Sequence, residues 1–453
     1  MKIAFLAMSG IRAHDPELLR LGLTLPGFVE RSRTVASLPS LGLLSIAATT
    51  PPGHELHYCE AEAAGREPAE LVSFDLVAIS TFSAQVEEAY AIADHLRGAG
   101  VRVAMGGLHV SARPDEAAAH ADYVAVGEGE PVWPEIVAAA ERKDPPRIFR
   151  AADYPPVDLA RLPMPRYDLL GNRPYNRYTV QTTRGCPWRC DFCASTVTLG
   201  SPYRKRPVAD IVRDIVTIQS LHPGAFIEFA DDNTFVDKGW GKELCRALAP
   251  LKIKWFTETD LSVAEDPELL RLMAAAGCRQ VLIGLESPTA DGLSGLELRS
   301  DRKARWFHGY QAAIRAIQSH GITVNGCFIL GLDAHDRRIF PLIRDTVEAF
   351  GLFDVQITLL TPFPGTPLYE RLRKEGRLLY SEAWHLCTLF DVTFRPAHMT
   401  PEELREGIHW LSQEIYSAEA TRRRRKAFFA QYRQEEELLE LASSAPRASL
   451  PPS

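Results

Sequence analysis

Cysteine is scarce in this sequence, with eight residues among 453. Five of them (Cys59, Cys245, Cys278, Cys327, Cys387) are scattered among apolar neighbours. They exclude a disulfide framework and read as reduced core thiols, as in a cytoplasmic protein. Long hydrophobic runs are missing too. Nothing approaches the ~18 apolar residues that a membrane helix needs, so no membrane span is expected. The first residues, "MKIAFLAMSG", hold one lysine and a short apolar run without a cleavage site, and read as a buried strand rather than a signal peptide. Positive charge is in deficit: the net charge of −7 argues against a nucleic-acid surface as the chain's main business. A dinucleotide fingerprint is also lacking, because "AMGGLHV" is not Gly-x-Gly-x-x-Gly.

What remains is ordinary soluble-protein composition, 46% apolar and 24% charged, with length for two or three cores. The fold class is α/β. Strand-like runs "KIAFLAM", "HELHYCEAE", "DLVAIST", "RVAMGGLHV" and "YVAVGEGE" alternate with helical ones such as "AQVEEAYAIADHLRGAG". That alternation predicts a doubly wound, Rossmann-like sheet over residues 1–142. Residues 143–177, rich in proline, read as a linker across the surface. From Tyr178 a second alternation follows ("YTVQTT", "AFIEFA", "IKWFT", "QVLIGLE", "ITVNGCFILGL", "DVQITLL"), which predicts a partial (β/α)6 barrel over 178–370. Residues 371–453 form a small, mostly helical region. Its "TRRRRK" run reads as a solvated helix face, and "SSAPRASLPPS" at the end reads as disordered.

The three other cysteines stand together in "RGCPWRCDFCAS", as Cys186, Cys190 and Cys193, directly after the first barrel strand. Chemistry in such barrels sits at the C-terminal ends of the strands. Structural zinc takes four protein ligands, commonly as two pairs, and no second pair follows here. Three thiolates on one loop suit a [4Fe–4S] cluster with one iron left open for an outside ligand.

C-x3-C-x2-C with Phe192 before the last cysteine resembles the radical S-adenosylmethionine superfamily. The resemblance extends to about Tyr369. It implies that the open iron binds S-adenosyl-L-methionine and that reductive cleavage yields a 5'-deoxyadenosyl radical. "FADDNTF" implies that Asp231 and Asp232 contact the methionyl amine. "GLES" implies that Glu286, beside Ser287, is an acidic cofactor contact, and "TPFPGTPLY" resembles the adenine-side loop. Arg204 and Arg206 are candidates for a carboxylate, with a phosphate or plain solvent suiting them as well. "SLPSLGLLSIAA", "DLVAISTFSAQVEEA", "AMGGLHVSARPDEA" and "VGEGE" resemble the cobalamin-binding domain that precedes many such barrels. This implies that Ser80, Phe82, Gly106, Gly107, Gly127 and Glu128 surround cobalamin. The loop "SGIRAHDPELLRLG" lacks the Asp-x-His-x-x-Gly pattern of a lower-axial histidine, with His14 alone nearby.

The resemblance implies a cobalamin-dependent radical enzyme, methylating an unactivated carbon of a small-molecule or natural-product substrate by way of methylcobalamin. An electron donor such as flavodoxin or ferredoxin is the implied partner. A radical cyclase or ring-rearranging enzyme, as in the group of the anaerobic Mg-protoporphyrin ester cyclase, shares nearly the same motifs. A non-catalytic cobalamin or redox sensor would need no acids beside the cluster. Substrate contacts are expected after Tyr369, with Tyr380, Trp384 and His385 as candidates.

Overall fold

The computed structural model describes residues 1–8, 10–11, 13–21, 38–61, 69–173, 175–195 and 202–444. Much of the "SGIRAHDPELLRLG" loop is described, but Ser9, Arg12 and Gly22 are not, and residues 445–453 of the tail also lie outside. Six parallel strands form the first sheet: β1 (Lys2–Ala7), β2 (Glu55–Glu60), β3 (Leu76–Ser80), β4 (Arg102–Gly106), β5 (Tyr123–Val126) and β6 (Arg147–Arg150). Their order is β2-β1-β3-β4-β5-β6. Helices cover both faces, so five of the six β1 residues are buried and the strand reads as a continuous apolar run. The order reverses at β1, and a sheet of this kind binds ligands beyond the carboxyl ends of its strands.

One strand was hidden in the expected linker. "RIFR" pairs in parallel with β5 through Val124–Ile148 and neighbours, although only Phe149 of its four residues is fully buried. So short an edge strand, flanked by prolines, carries no readable alternation.

The second unit begins with β7 (Tyr178–Val180), followed by a small antiparallel ribbon of β8 (Thr183–Arg184) and β9 (Arg204–Lys205). Then come β10 (Phe226–Phe229), β11 (Lys254–Thr259), β12 (Cys278–Glu286), β13 (Thr323–Leu330) and β14 (Asp354–Leu359). β7 and β10 to β14 pair in parallel in strict chain order, which curls them into a six-stranded partial barrel. Helices Val208–Leu221, Lys238–Leu248, Pro267–Ala275, Tyr310–Ser319 and Ile339–Phe350 back it.

One apolar core joins the two units. It runs from Phe5, Leu43 and Trp133 through Tyr175 and Tyr178 to Trp255 and Ile343 behind the barrel. The other face of the first sheet packs Leu6, Val77 and Val103 against Tyr369, Trp384 and Cys387. The chain after the barrel therefore returns to cover the first sheet. No described helix is long and apolar enough to cross a membrane.

Candidate active site between the two strand rims

The cysteine loop is pinned at several points before any cofactor is considered. Gly185 turns at φ +86°, and its N–H donates to Asp232 Oδ2 at 3.0 Å. Asp191 N–H donates to Leu296 O (2.9 Å), Leu298 N–H to Arg189 O (3.0 Å), and Leu368 N–H to Asp191 O (3.2 Å). Trp188, between the first two cysteines, donates its indole N–H to Asp260 Oδ2 at 3.0 Å. Arg302 lies 4.3 Å over the Trp188 ring and grips both Asp260 oxygens at 3.0 Å. Asn233 and the Ser262 N–H complete the shell at 2.9 and 2.8 Å. Burial alone would raise the Asp260 carboxyl, but Arg302 and these donors hold it well below the usual carboxylate range.

Cys186, Cys190 and Cys193 line a cavity of about 520 Å³ inside the barrel rim, with Phe192, Trp188 and Asp232. Burial pushes the Cys186 thiol up to about 11 and that of Cys190 further, so a metal must displace their protons. Among the described residues, no three His, Cys, Asp or Glu side chains gather tightly enough for a single metal ion.

Glu286 also lines this cavity. A bulge after Gly284 sets it at φ +61°, a strained angle for a residue with a side chain. Its carboxylate meets Lys303 Nζ, which also donates to Gly284 O at 3.0 Å. A Cβ on Gly284 would stand 2.3 Å from Glu286 Oε1, so glycine is what lets this pair form. Ser287 turns the other way, bonding the buried His335 Nε2 at 3.0 Å, and does not line the cavity. Thr361 and Phe363 of the "TPFPGTPLY" loop do.

The two adjacent acids separate. Asp232 enters the cavity and takes the Ser195 hydroxyl as well as Gly185 N–H. Asp231, expected as a cofactor contact, faces inward and lines no cavity described here. It accepts from Thr182 N–H (2.8 Å), Thr183 N–H (2.9 Å), Thr234 Oγ1 (2.7 Å) and the Thr182 hydroxyl. Burial pushes its carboxyl up against those donors. Both acids lie past the end of β10, and Asp231 is the one that braces the β7 turn.

A second cavity of about 300 Å³ opens at the carboxyl ends of the first sheet, lined by Ser80, Gly106, Gly107, Gly127, Glu128 and Trp133. Gly42, Ala78, Ala104, Ala125 and Gly129 keep its walls thin. Gly107 stands at φ +106°, where a Cβ would lie 2.5 Å from Thr81 O. Phe82 points away, 51% exposed and outside the cavity, because the chain turns outward after Thr81. His14 lines neither cavity and stacks edge-on with His385 at 5.2 Å. Asp232 and Ser195 line both cavities, so the two spaces meet across this one hydrogen-bonded pair.

Ion pairs fix that meeting. Glu128 receives Arg184 at 2.7 Å and Arg204 at 2.5 Å, and Glu130 receives Arg184 at 2.7 Å. Burial works against the Glu128 charge, but the two guanidinium groups hold its carboxyl below the usual range. Glu128 thus ties the first sheet to the barrel, and Arg204 is spent on that tie. Arg206 pairs with buried Asp214 at 2.6 Å. The expected substrate contacts beyond Tyr369 also go elsewhere: Trp384 packs 5.1 Å from His109, His385 bonds Glu87 at 2.8 Å, and Tyr380 is exposed. Asp260, Arg302 and Lys303 were not legible as site residues. An acid ending the strand in "FTETD" was the one available signal for Asp260.

Comparison with known proteins follows this division of the chain. The Radical SAM superfamily matches residues 180–344, the B12 binding domain residues 33–137, and a domain of unknown function (DUF4070) residues 366–446. Bacteriochlorophyllide d C-12(1)-methyltransferase of Chlorobaculum tepidum is 27% identical over 86% of this chain and 84% of its own. Anaerobic magnesium-protoporphyrin IX monomethyl ester cyclase of Cereibacter sphaeroides is 24% identical over 74% of this chain and 58% of its own. Among solved structures, the radical S-adenosylmethionine methyltransferase TsrM from Kitasatospora setae, with cobalamin and a [4Fe–4S] cluster, superposes with a TM-score of 0.63. The superposition covers 90% of this chain and 81% of that one at 15% identity, a likeness of fold. The matched families bring a [4Fe–4S] cluster and S-adenosylmethionine to the barrel and cobalamin to the first sheet. The chain belongs to the radical S-adenosylmethionine superfamily, in the group that carries a B12-binding domain ahead of the barrel.

Proposed function

We propose that this enzyme methylates an unactivated carbon of a small-molecule substrate. The observation that carries the reading is the pair of adjoining cavities with Asp232 and Ser195 as their common wall. When bound, the cluster supplies the electron that cleaves S-adenosylmethionine, and cobalamin relays the methyl group to the substrate radical.

The residues fit these groups. Cys186, Cys190 and Cys193 all line one cavity, and three thiolates on one loop are the donor set that a [4Fe–4S] cluster with one open iron would take. Asp232 and Glu286 offer carboxylates to an ammonium or a ribose at the same rim. Phe192 walls the cavity beside them. In the first sheet, Gly106, Gly127 and the alanines leave room for a bulky flat ligand, with Ser80 as a hydroxyl partner. Trp188, Asp260 and Arg302 hold the cysteine loop in place, and the Glu128–Arg184–Arg204 bridge keeps the two rims in register. Loading occurs in a cytoplasmic setting, with reduction by a flavodoxin- or ferredoxin-like donor.

The test supplies the reconstituted enzyme with hydroxocobalamin, a reductant, candidate substrates and S-adenosylmethionine labelled with deuterium in the methyl group. Methylation predicts a product heavier by one trideuteromethyl group. A product altered without the label means cyclisation or rearrangement instead, the activity named for the 24%-identical cyclase.

A further inference from the structure

The barrel interior holds two polar side chains that the site described above does not use. Most polar groups lining the larger cavity are satisfied by their neighbours. Asp260 is taken by Trp188 and Arg302, Glu286 by Lys303, and Asp232 by Ser195 and Gly185. Thr358 donates to Phe328 O at 3.3 Å and Thr361 to Leu359 O at 3.1 Å. Glu258 and Gln356 are different. Glu258 lines the cavity and is exposed to that space rather than closed into the wall. Gln356 lines the same cavity, is 8% exposed, and its buried Oε1 has no partner.

The register sets these two at nearly one level on different walls. Glu258 on β11 pairs with Leu282 on β12, while Gln356 on β14 pairs with Cys327, itself paired with Gly284 two residues above Leu282. Much of the wall is apolar, including Leu282, Ile329, Leu360 and Phe363, with Thr358, Asp232 and Glu286 among its polar members. A buried amide oxygen without a partner costs free energy until a donor arrives. Glu258 opens onto the cavity; its depth in the barrel, and then the carboxyls of Glu228, Asp232 and Asp231, push its carboxyl up against the pull of Arg177. Its protonated form both donates and accepts.

We propose that Glu258 and Gln356 are the substrate's polar anchor, receiving a hydrogen-bond-donating hydroxyl or amine on an otherwise apolar molecule lodged in the barrel. This deepens the functional reading and rests on it only in taking this cavity as the substrate's.

Equilibrium dialysis tests it without turnover. The cluster-reconstituted full chain, with S-adenosylhomocysteine present, is dialysed against cyclohexylmethanol, cyclohexylmethylamine and cyclohexylmethyl methyl ether. The wild type should bind the alcohol or the amine about five- to tenfold tighter than the ether, which cannot donate. Glu258→Leu and Gln356→Leu should each erase that preference, and the ether gives the readout that a merely structural defect would also move. Preference for the alcohol assigns a hydroxyl substrate, and preference for the amine assigns an amine. Equal binding of all three probes, no binding of either donor, or Leu variants that weaken every probe alike overturns the proposal. A failed methyl-transfer assay leaves this result standing, and the reverse holds as well.

Discussion

Asp260→Asn is the sharpest probe of how the cysteine loop is held. The aspartate accepts from five donors: Trp188 Nε1, Asn233 Nδ2, Ser262 N–H and both terminal nitrogens of Arg302. Asparagine keeps one oxygen and turns an amide donor toward Arg302 or Trp188. Charge-assisted bonds of this kind contribute about 1.5–3 kcal/mol when buried. Both partners keep some solvent contact, 18% and 19% of their side chains exposed, so the pair is screened in part. The expected loss is therefore about 2 kcal/mol, below the roughly 3–5 kcal/mol of a fully buried pair that loses one partner. The loss falls on the loop between Cys186 and Cys190, because Trp188 is its anchor. Iron bound per chain after anaerobic reconstitution should drop by half or more, with a matching loss of absorbance near 400 nm. Urea unfolding of the apoprotein gives the stability term separately. A double variant with Arg302→Gln should cost less than the sum of the singles, because the two act as one pair. Unchanged iron content with a stability change under about 0.5 kcal/mol would refute the brace.

Other substitutions separate packing from ligand binding. Gly106→Leu should abolish hydroxocobalamin retention through gel filtration while the chain stays folded, since a Cβ there meets only Ala125 at 3.5 Å and the rest enters the cavity. Gly107→Ala should instead cost about 2–4 kcal/mol by thermal unfolding, from the 2.5 Å approach to Thr81 O and the strained φ. His335 provides a pH test. Burial lowers it to about 4, so the unfolded chain binds its proton first as pH falls. Its stability contribution is complete above about pH 6.5 and is lost between there and 4, up to about 3 kcal/mol. Urea midpoints at pH 7.5 and 5 should differ less in His335→Gln than in the wild type, and an equal difference in both would contradict the assignment.

The parallel sheets were legible because buried parallel strands make apolar runs separated by helical periods. The cysteines' place at a strand end followed from the same pattern. What could not be read was direction. Asp231 and Asp232 are neighbours, yet one braces Thr182 and Thr183 while the other faces both cavities. Once a strand ends, its two-residue alternation no longer fixes which side chain points inward. Arg302 and Lys303 reach the site from a helix that follows β12, and no local signal ties them to Asp260 and Glu286. Trp384 and His385 looked available for substrate, but the return of the chain over the first sheet takes them away from the barrel.

The most direct measurement of the central claim is formation of 5'-deoxyadenosine. The protein is reconstituted anaerobically with iron and sulfide, then given S-adenosylmethionine and dithionite. The account predicts 5'-deoxyadenosine from the wild type and none above background from Cys186→Ala, Cys190→Ala or Cys193→Ala. Equal amounts from the wild type and the three variants, or none from any of them, would contradict it.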